Sequence, residues 1–151
     1  MLKLSKKTDY AIILLAHLAE NKSPVSANEV SCFYNLPHAM VANILKQLVT
    51  SGLVKSLRGQ NGGYILGRSI DNINLSEIIR VTDNAFELVE CVNQECACKV
   101  HHCCPTRGPL VALHKQIDEF VKETTLASII EKSKPDHFNL KESSYETTHI
   151  S

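Results

Sequence analysis

Three glycines fall in the six-residue run Arg58-Gly59-Gln60-Asn61-Gly62-Gly63, between the short β-rich segments Leu53-Val54-Lys55-Ser56-Leu57 and Tyr64-Ile65-Leu66. Glycine permits positive φ and close backbone approach, so this stretch predicts a hairpin with a tight loop. What precedes it narrows the fold further. Ser26 and Glu29 stand at the S-x-x-E spacing of a capping box, which predicts a helix over 27–33. Tyr34-Asn35-Leu36 breaks that helix, and Pro37 suits the first position of the next. The third helix carries the stripe Val41, Ile44, Leu45, Leu48, Val49 until Ser51-Gly52 stops it. Two short helices joined by a tight turn and followed by a hairpin make a winged helix-turn-helix.

The flanking segments complete the layout. Ala11, Leu14, Leu15, Leu18 and Ala19 form one apolar stripe of a first helix. Asn74 with Glu77 is a second capping box, opening a helix whose Leu75, Ile78, Ile79 and Thr82 pack back on the winged domain. Pro109 opens a longer helix with Leu110, Leu113, His114, Ile117, Phe120 and Val121 along one side, and Thr125 caps a short last turn through Ile130. That side holds more apolar surface than so small a domain covers, which predicts a symmetric homodimer. The expected fold class is mainly α with a small β-hairpin wing, a winged helix-turn-helix plus a long dimerisation helix. Its parts are a DNA-binding domain over 1–84, a cysteine-rich cluster-binding loop over 85–107, the dimerisation helix over 108–132 and a polar, flexible tail over 133–151.

Charge divides the chain. Residues 1–68 hold eight Lys/Arg against three acids, net +5, and the remainder is −5, for an overall charge of zero. A basic half suits a polyanion. The second helix of a helix-turn-helix lies in the major groove, which places Ala39, Met40, Ala42, Asn43 and Lys46 toward double-stranded DNA. Asn43 can pair bidentately with adenine, Met40 and Ala39 can meet a thymine methyl, and Lys46 suits a phosphate. Arg58 at the wing tip, with Gln60 and Asn61 beside it, can enter a narrow minor groove. The competing reading is a merely solvated helix face. A dimer would read an approximately palindromic operator. Lys3, Lys6 and Lys7 before an apolar run imitate a signal peptide, but Asp9 and His17 interrupt the run and Glu20 ends it. No stretch is apolar enough to span a membrane, and the expectation is a cytoplasmic protein without a membrane partner.

Five of the six cysteines fall between Cys91 and Cys104, among Asn, Gln, Glu, Lys and His. Buried structural cysteines are scattered among apolar residues, so this clustering points to metal chemistry. A structural zinc site of Cys and His and a bare redox-active thiol loop are two readings of such a segment. Cys32, alone in the second helix, is expected in the core. Nothing outside the loop pairs a nucleophile with a base, which speaks against an enzyme. An iron-sulfur electron or cluster carrier is the rival from another class.

The segments Leu4-Ser5-Lys6-Lys7-Thr8-Asp9-Tyr10-Ala11, Leu48 through Ser56 and Arg58-Gly59-Gln60-Asn61-Gly62-Gly63-Tyr64-Ile65-Leu66, followed by the cysteine loop, resemble the bacterial winged-helix regulators that include IscR, NsrR and the SUF-system regulator. The resemblance covers residues 1 to about 130. It implies a homodimeric transcription factor, here a repressor of iron-sulfur assembly genes, with a 2Fe-2S or 4Fe-4S cluster in the loop. Its ligands would be Cys91, Cys98 and Cys104, with Cys96 as the alternative middle ligand and Cys103 as an extra thiol. Asp9 matches the aspartate that the NsrR branch supplies across the dimer interface, which favours a nitric-oxide-sensing repressor as the second reading. Asp9 as a helix-capping surface residue, or His101 or His102 as the ligand, stays open. The histidine of the IscR branch falls at Arg107, which cannot ligate a metal.

Overall fold

The computed structural model describes residues 4–83, 88, 99–100 and 103–132. Helices α1 (Lys6–Glu20), α2 (Ala27–Phe33) and α3 (His38–Thr50) lead into strands β1 (Val54–Leu57) and β2 (Gly63–Leu66), then a 3-10 turn at Ile70–Asn72. Helices α4 (Leu75–Asp83), α5 (Arg107–Glu123) and α6 (Leu126–Lys132) complete the described chain. This is the expected fold class, mainly helical with an antiparallel two-stranded wing.

Local chemistry starts each helix. The Ser5 hydroxyl caps α1 by accepting from the Thr8 N–H at 3.1 Å. The Ser26–Glu29 box is reciprocal, as is the Asn74–Glu77 box, where the Glu77 N–H donates to Asn74 Oδ1 at 2.9 Å and the Asn74 N–H to Glu77 Oε2 at 3.2 Å. Pro37 is the cap of α3 rather than its first residue, and α5 starts at Arg107, two residues before Pro109. Proline fits any first-turn position because those N–H groups have no partner within the helix, so its presence does not fix the start.

The core is built on α1. Ala11, Leu14, Leu15 and Leu18 are buried with Val41, Ile44, Leu45 and Leu48 of α3, Ile78 of α4 and Leu126 of α6. Cys32 departs from expectation: it is exposed, and α2 buries Val30 and Ser31 instead. A seven-residue helix has room for one inward face, and Cys32 falls on the other side of it. Phe33, 71% exposed, leans on His17 and Tyr34 at the end of this helix. Asn35 then takes φ 51° in the turn before α3, a conformation asparagine tolerates better than most residues.

In the wing, Val54 pairs with Leu66, Lys55 with Ile65, Ser56 with Tyr64 and Leu57 with Gly63. Gly59 turns the loop at φ +116°, and the Gly62 N–H closes it on Gly59 O at 3.0 Å. The sequence pattern does not announce a third member. Val25 exchanges both backbone hydrogen bonds with Tyr64, at 3.1 and 2.8 Å, and so ties the wing to the segment before α2. A Cβ on Gly63 would lie 2.8–3.0 Å from the Val25 backbone. Gly63→Ala should break this bridge, lowering stability by about 1–3 kcal/mol in chemical denaturation, the range for overpacking a filled site.

A polar lock joins the start of α1 to the end of α4. Thr8, fully buried, donates to Asp83 Oδ2 at 2.6 Å and lies 2.6 Å from the Thr82 hydroxyl. The Thr8 proton is committed to the carboxylate, so Thr82 donates either across to Thr8 or back to Ile78 O at 3.0 Å. Lys7 Nζ donates to Thr82 O at 3.0 Å. Burial alone would raise the Asp83 carboxyl, but the hydroxyls of Thr8 and Ser5 and the charge of Lys7 outweigh it and hold it below the ordinary range. A depressed carboxyl contributes stability above its unfolded-state pKa, near ~4, that is lost as pH falls through the native value. Thr8→Val should therefore destabilise the fold by about 1–2 kcal/mol at neutral pH. Its deficit against wild type should shrink in denaturation series as pH falls below ~4 and through the lower native value of Asp83, where the carboxyl becomes protonated in both.

Candidate functional site

Helix α3 presents one face and buries the other. Val41, Ile44, Leu45 and Leu48 are inside, while Ala39, Met40, Asn43 and Lys46 are exposed and Ala42 is half-buried. The same packing that sinks the apolar stripe thus sends four of the five expected DNA-facing side chains of this helix outward and leaves Ala42 at the margin. Arg58, Gln60 and Asn61 are exposed on the loop between β1 and β2. A helix with a solvent-facing Asn/Lys face, preceded by a short capped helix and followed by a basic wing, is the geometry of a major-groove reader with a second contact at the wing.

Of the expected metal ligands, Asp9 and Cys104 lie among the described residues, and Cys91 and Cys98 lie outside them, as do Cys96, His101 and His102. Among the described residues no group of three or more His, Cys, Asp or Glu side chains comes together. Asp9 is exposed in the first turn of α1, one position past buried Thr8. It does not cap the helix, since Ser5 does that.

Cys104 sits just before α5. Thr106 occupies the cap position of that helix, yet makes no side-chain cap bond; its hydroxyl instead lies 3.3 Å from Cys104 Sγ. The Thr106 hydroxyl, then the backbone N–H groups of Thr106 and Arg107 and the Arg107 charge, hold the Cys104 thiol below the ordinary thiol range. That favours the thiolate, the form that ligates metals. Cys103, the extra thiol, is exposed and donates weakly to Val100 O at 3.7 Å. The side chain of Arg107 is partly buried and its Nε, fully shielded, meets no acceptor among the described residues. No acidic residue stands in the first turn of α5. An uncapped helix start, a thiolate-favouring cysteine and an orphaned guanidinium N–H fit an anionic group such as a thiolate-held iron-sulfur cluster.

Sequence reasoning missed three features here. Thr8 and Thr82 are 74 positions apart, so no local pattern links them. Val25 is a single bridging residue, too short for periodicity to reveal. Arg107 was legible only as a residue unable to ligate.

Fold and surface together have the form of a winged-helix transcriptional regulator. Residues 4–132 match the Rrf2 family, described as iron-dependent transcriptional regulators, and the chain belongs to that family. It is 32% identical over 136 residues to the HTH-type transcriptional regulator NsrR of Bacillus licheniformis, covering 85% of this chain and 92% of that protein. Among solved structures it is similar to CymR, the global cysteine regulator of B. subtilis, with 27% identity and a TM-score of 0.70 over 89% of this chain and 100% of that one. It is also similar to IscR of T. potens, with 27% identity and a TM-score of 0.68 over 88% of this chain and 89% of that one. Among the described residues no helix is long and apolar enough to cross a membrane.

Proposed function

We propose that this chain is a homodimeric, cytoplasmic repressor whose binding to an approximately palindromic operator depends on an iron-sulfur cluster, and that it controls cluster-assembly genes. The Cys104 environment is the observation that carries this reading: a thiolate-favouring cysteine beside a helix start whose cap residue makes no side-chain bond and an arginine whose shielded Nε meets no acceptor among the described residues. Cys91, Cys98 and Cys104 would hold the cluster, with Asp9 as the oxygen ligand. When bound, such a cluster supplies a centre that responds to oxidants, iron supply or nitric oxide. Sensing of nitric oxide is the second reading, favoured by Asp9 and by the likeness to NsrR.

The chain's own residues supply the rest. Helix α5 exposes Leu113 (44%) and Phe120 (66%), with half-buried Leu110 and Ile117 continuing the same stripe, which suits a second copy of itself. Asn43 reads a base edge, Lys46 a phosphate, and Arg58 with Gln60 and Asn61 the groove beside the wing. On an operator selected from randomised duplexes, Asn43→Ala should cost about 1–3 kcal/mol of discrimination at one base position of each half-site. Lys46→Ala should weaken all sequences alike and lower the salt slope by about 1 per protomer. Anisotropy titrations over a salt series separate the two, and an Asn43→Ala loss equal on all sequences would sink the base-reading role.

The cofactor is tested by the visible spectrum of anaerobically purified protein, with iron and acid-labile sulfide measured on the same sample. Comparable iron and sulfide are expected, lost in Cys104→Ser and retained in Cys103→Ser, with operator affinity changing between the loaded and cluster-free forms. A colourless protein that resists reconstitution, or equal affinity in both forms, would defeat the cluster-dependent mechanism.

A further inference from the structure

The first turn of α5 is electrostatically lopsided. Its cap residue Thr106 makes no side-chain cap bond, no Asp or Glu stands in the turn, and the first residue, Arg107, adds a full positive charge. A helix N-terminus already carries roughly half a positive elementary charge, so a cation placed there is unfavourable unless an anion answers it. Among the described residues the ion pairs are Arg68–Glu77 and Lys122–Asp118, and neither involves Arg107. Its Nε is shielded from water and meets no acceptor among the described residues, a position that costs stability when nothing fills it. The acids of α5, Asp118, Glu119 and Glu123, all lie in its second half.

We infer that Arg107 is a positioning residue for the proposed cluster: its guanidinium, with the uncapped N–H groups of α5, answers the cluster's negative charge and raises its reduction potential. The inference rests on the cluster reading above. Three thiolates and a carboxylate outweigh the positive charge of an oxidised cluster core, and reduction adds a further negative charge. A cation held close by in a poorly hydrated place stabilises the reduced form more than the oxidised one. Arginine cannot ligate iron, since it has no free lone pair at accessible pH, so its part is charge and hydrogen bonding alone.

The test compares wild type, Arg107→Gln and Arg107→Lys, each reconstituted with iron and sulfide, by midpoint potential from a dye-coupled titration of the visible absorbance. Arg107→Gln should shift the midpoint to a more negative potential and bleach several-fold faster in air, and Arg107→Lys should stay near wild type. Melting of the cluster-free proteins supplies the second readout. Cluster-free Arg107→Gln should melt no lower than cluster-free wild type, because the variant removes a cation at a helix N-terminus and a shielded Nε that meets no acceptor among the described residues. An unmoved midpoint in a cluster-loaded Arg107→Gln overturns the inference and leaves the cluster reading intact. A Lys variant shifted as far as Gln, or a cluster-free Gln variant that melts lower or unfolds, assigns Arg107 to shape or folding and also overturns it. Wild type that takes up neither iron nor sulfide defeats the cluster reading itself.

Discussion

The apolar stripe of α1 is the constraint on which the other placements depend. Ala11, Leu14 and Leu15 are fully buried, and the helix touches α3, α4, β2 and α6 at once. Each buried leucine contributes about 1.5–3 kcal/mol, against about 0.5–1.5 kcal/mol for a typical hydrogen bond. Packing therefore holds the fold, and the Thr8–Thr82–Asp83 lock sets how α1 and α4 meet rather than whether they do. Because α3 buries Ile44, Leu45 and Leu48 in the same cluster, the outward aim of Met40, Asn43 and Lys46 follows from core geometry and needs no contact of their own.

Helix α5 is fastened at its far end. The Leu75 N–H donates to Thr124 O at 2.8 Å, the Leu126 N–H to Ile73 O at 2.7 Å, and Leu126 is fully buried in the same core as α1. At the other end stand Cys104, Thr106 and Arg107. Seventeen residues of helix span about 25 Å at ~1.5 Å each. A helix of that length joins the cysteine end to the 3-10 turn and α4, and on the cluster-dependent reading it would be the element that couples the cluster to the winged domain. The lock adds a second route, since Asp83 ends α4 on the side from which the chain runs on toward the cysteines.

Features encoded within four residues were legible in the sequence. Both capping boxes, the glycine hairpin and the apolar stripes of α1, α3 and α4 depend on local spacing, and the structure carries them where the sequence places them. What escaped depends on distant partners or on too little chain. Cys32 was misplaced because seven residues leave the inward side of α2 to tertiary contacts. The Thr8–Thr82 pair and the Val25–Tyr64 bridge join segments far apart in sequence. At the candidate site, thiol density marked the segment, but that the shielded Arg107 Nε meets no acceptor among the described residues appears only once α5 has a defined start and its acids prove to be in the other half.

The fold alone does not choose the chemistry. The global cysteine regulator of B. subtilis and IscR of T. potens match this chain with TM-scores of 0.70 and 0.68, so the winged domain and long helix are common to differently described proteins. The two anions proposed for this protein would also be held by different physics. Lys46 and Arg58 are exposed, and salt screens such charges over about 8–10 Å. The Arg107 Nε is shielded, and interactions of buried groups are screened far less. Added salt should then weaken the grip on DNA while leaving the hold on the cluster nearly intact, which would let operator release proceed without loss of the sensor.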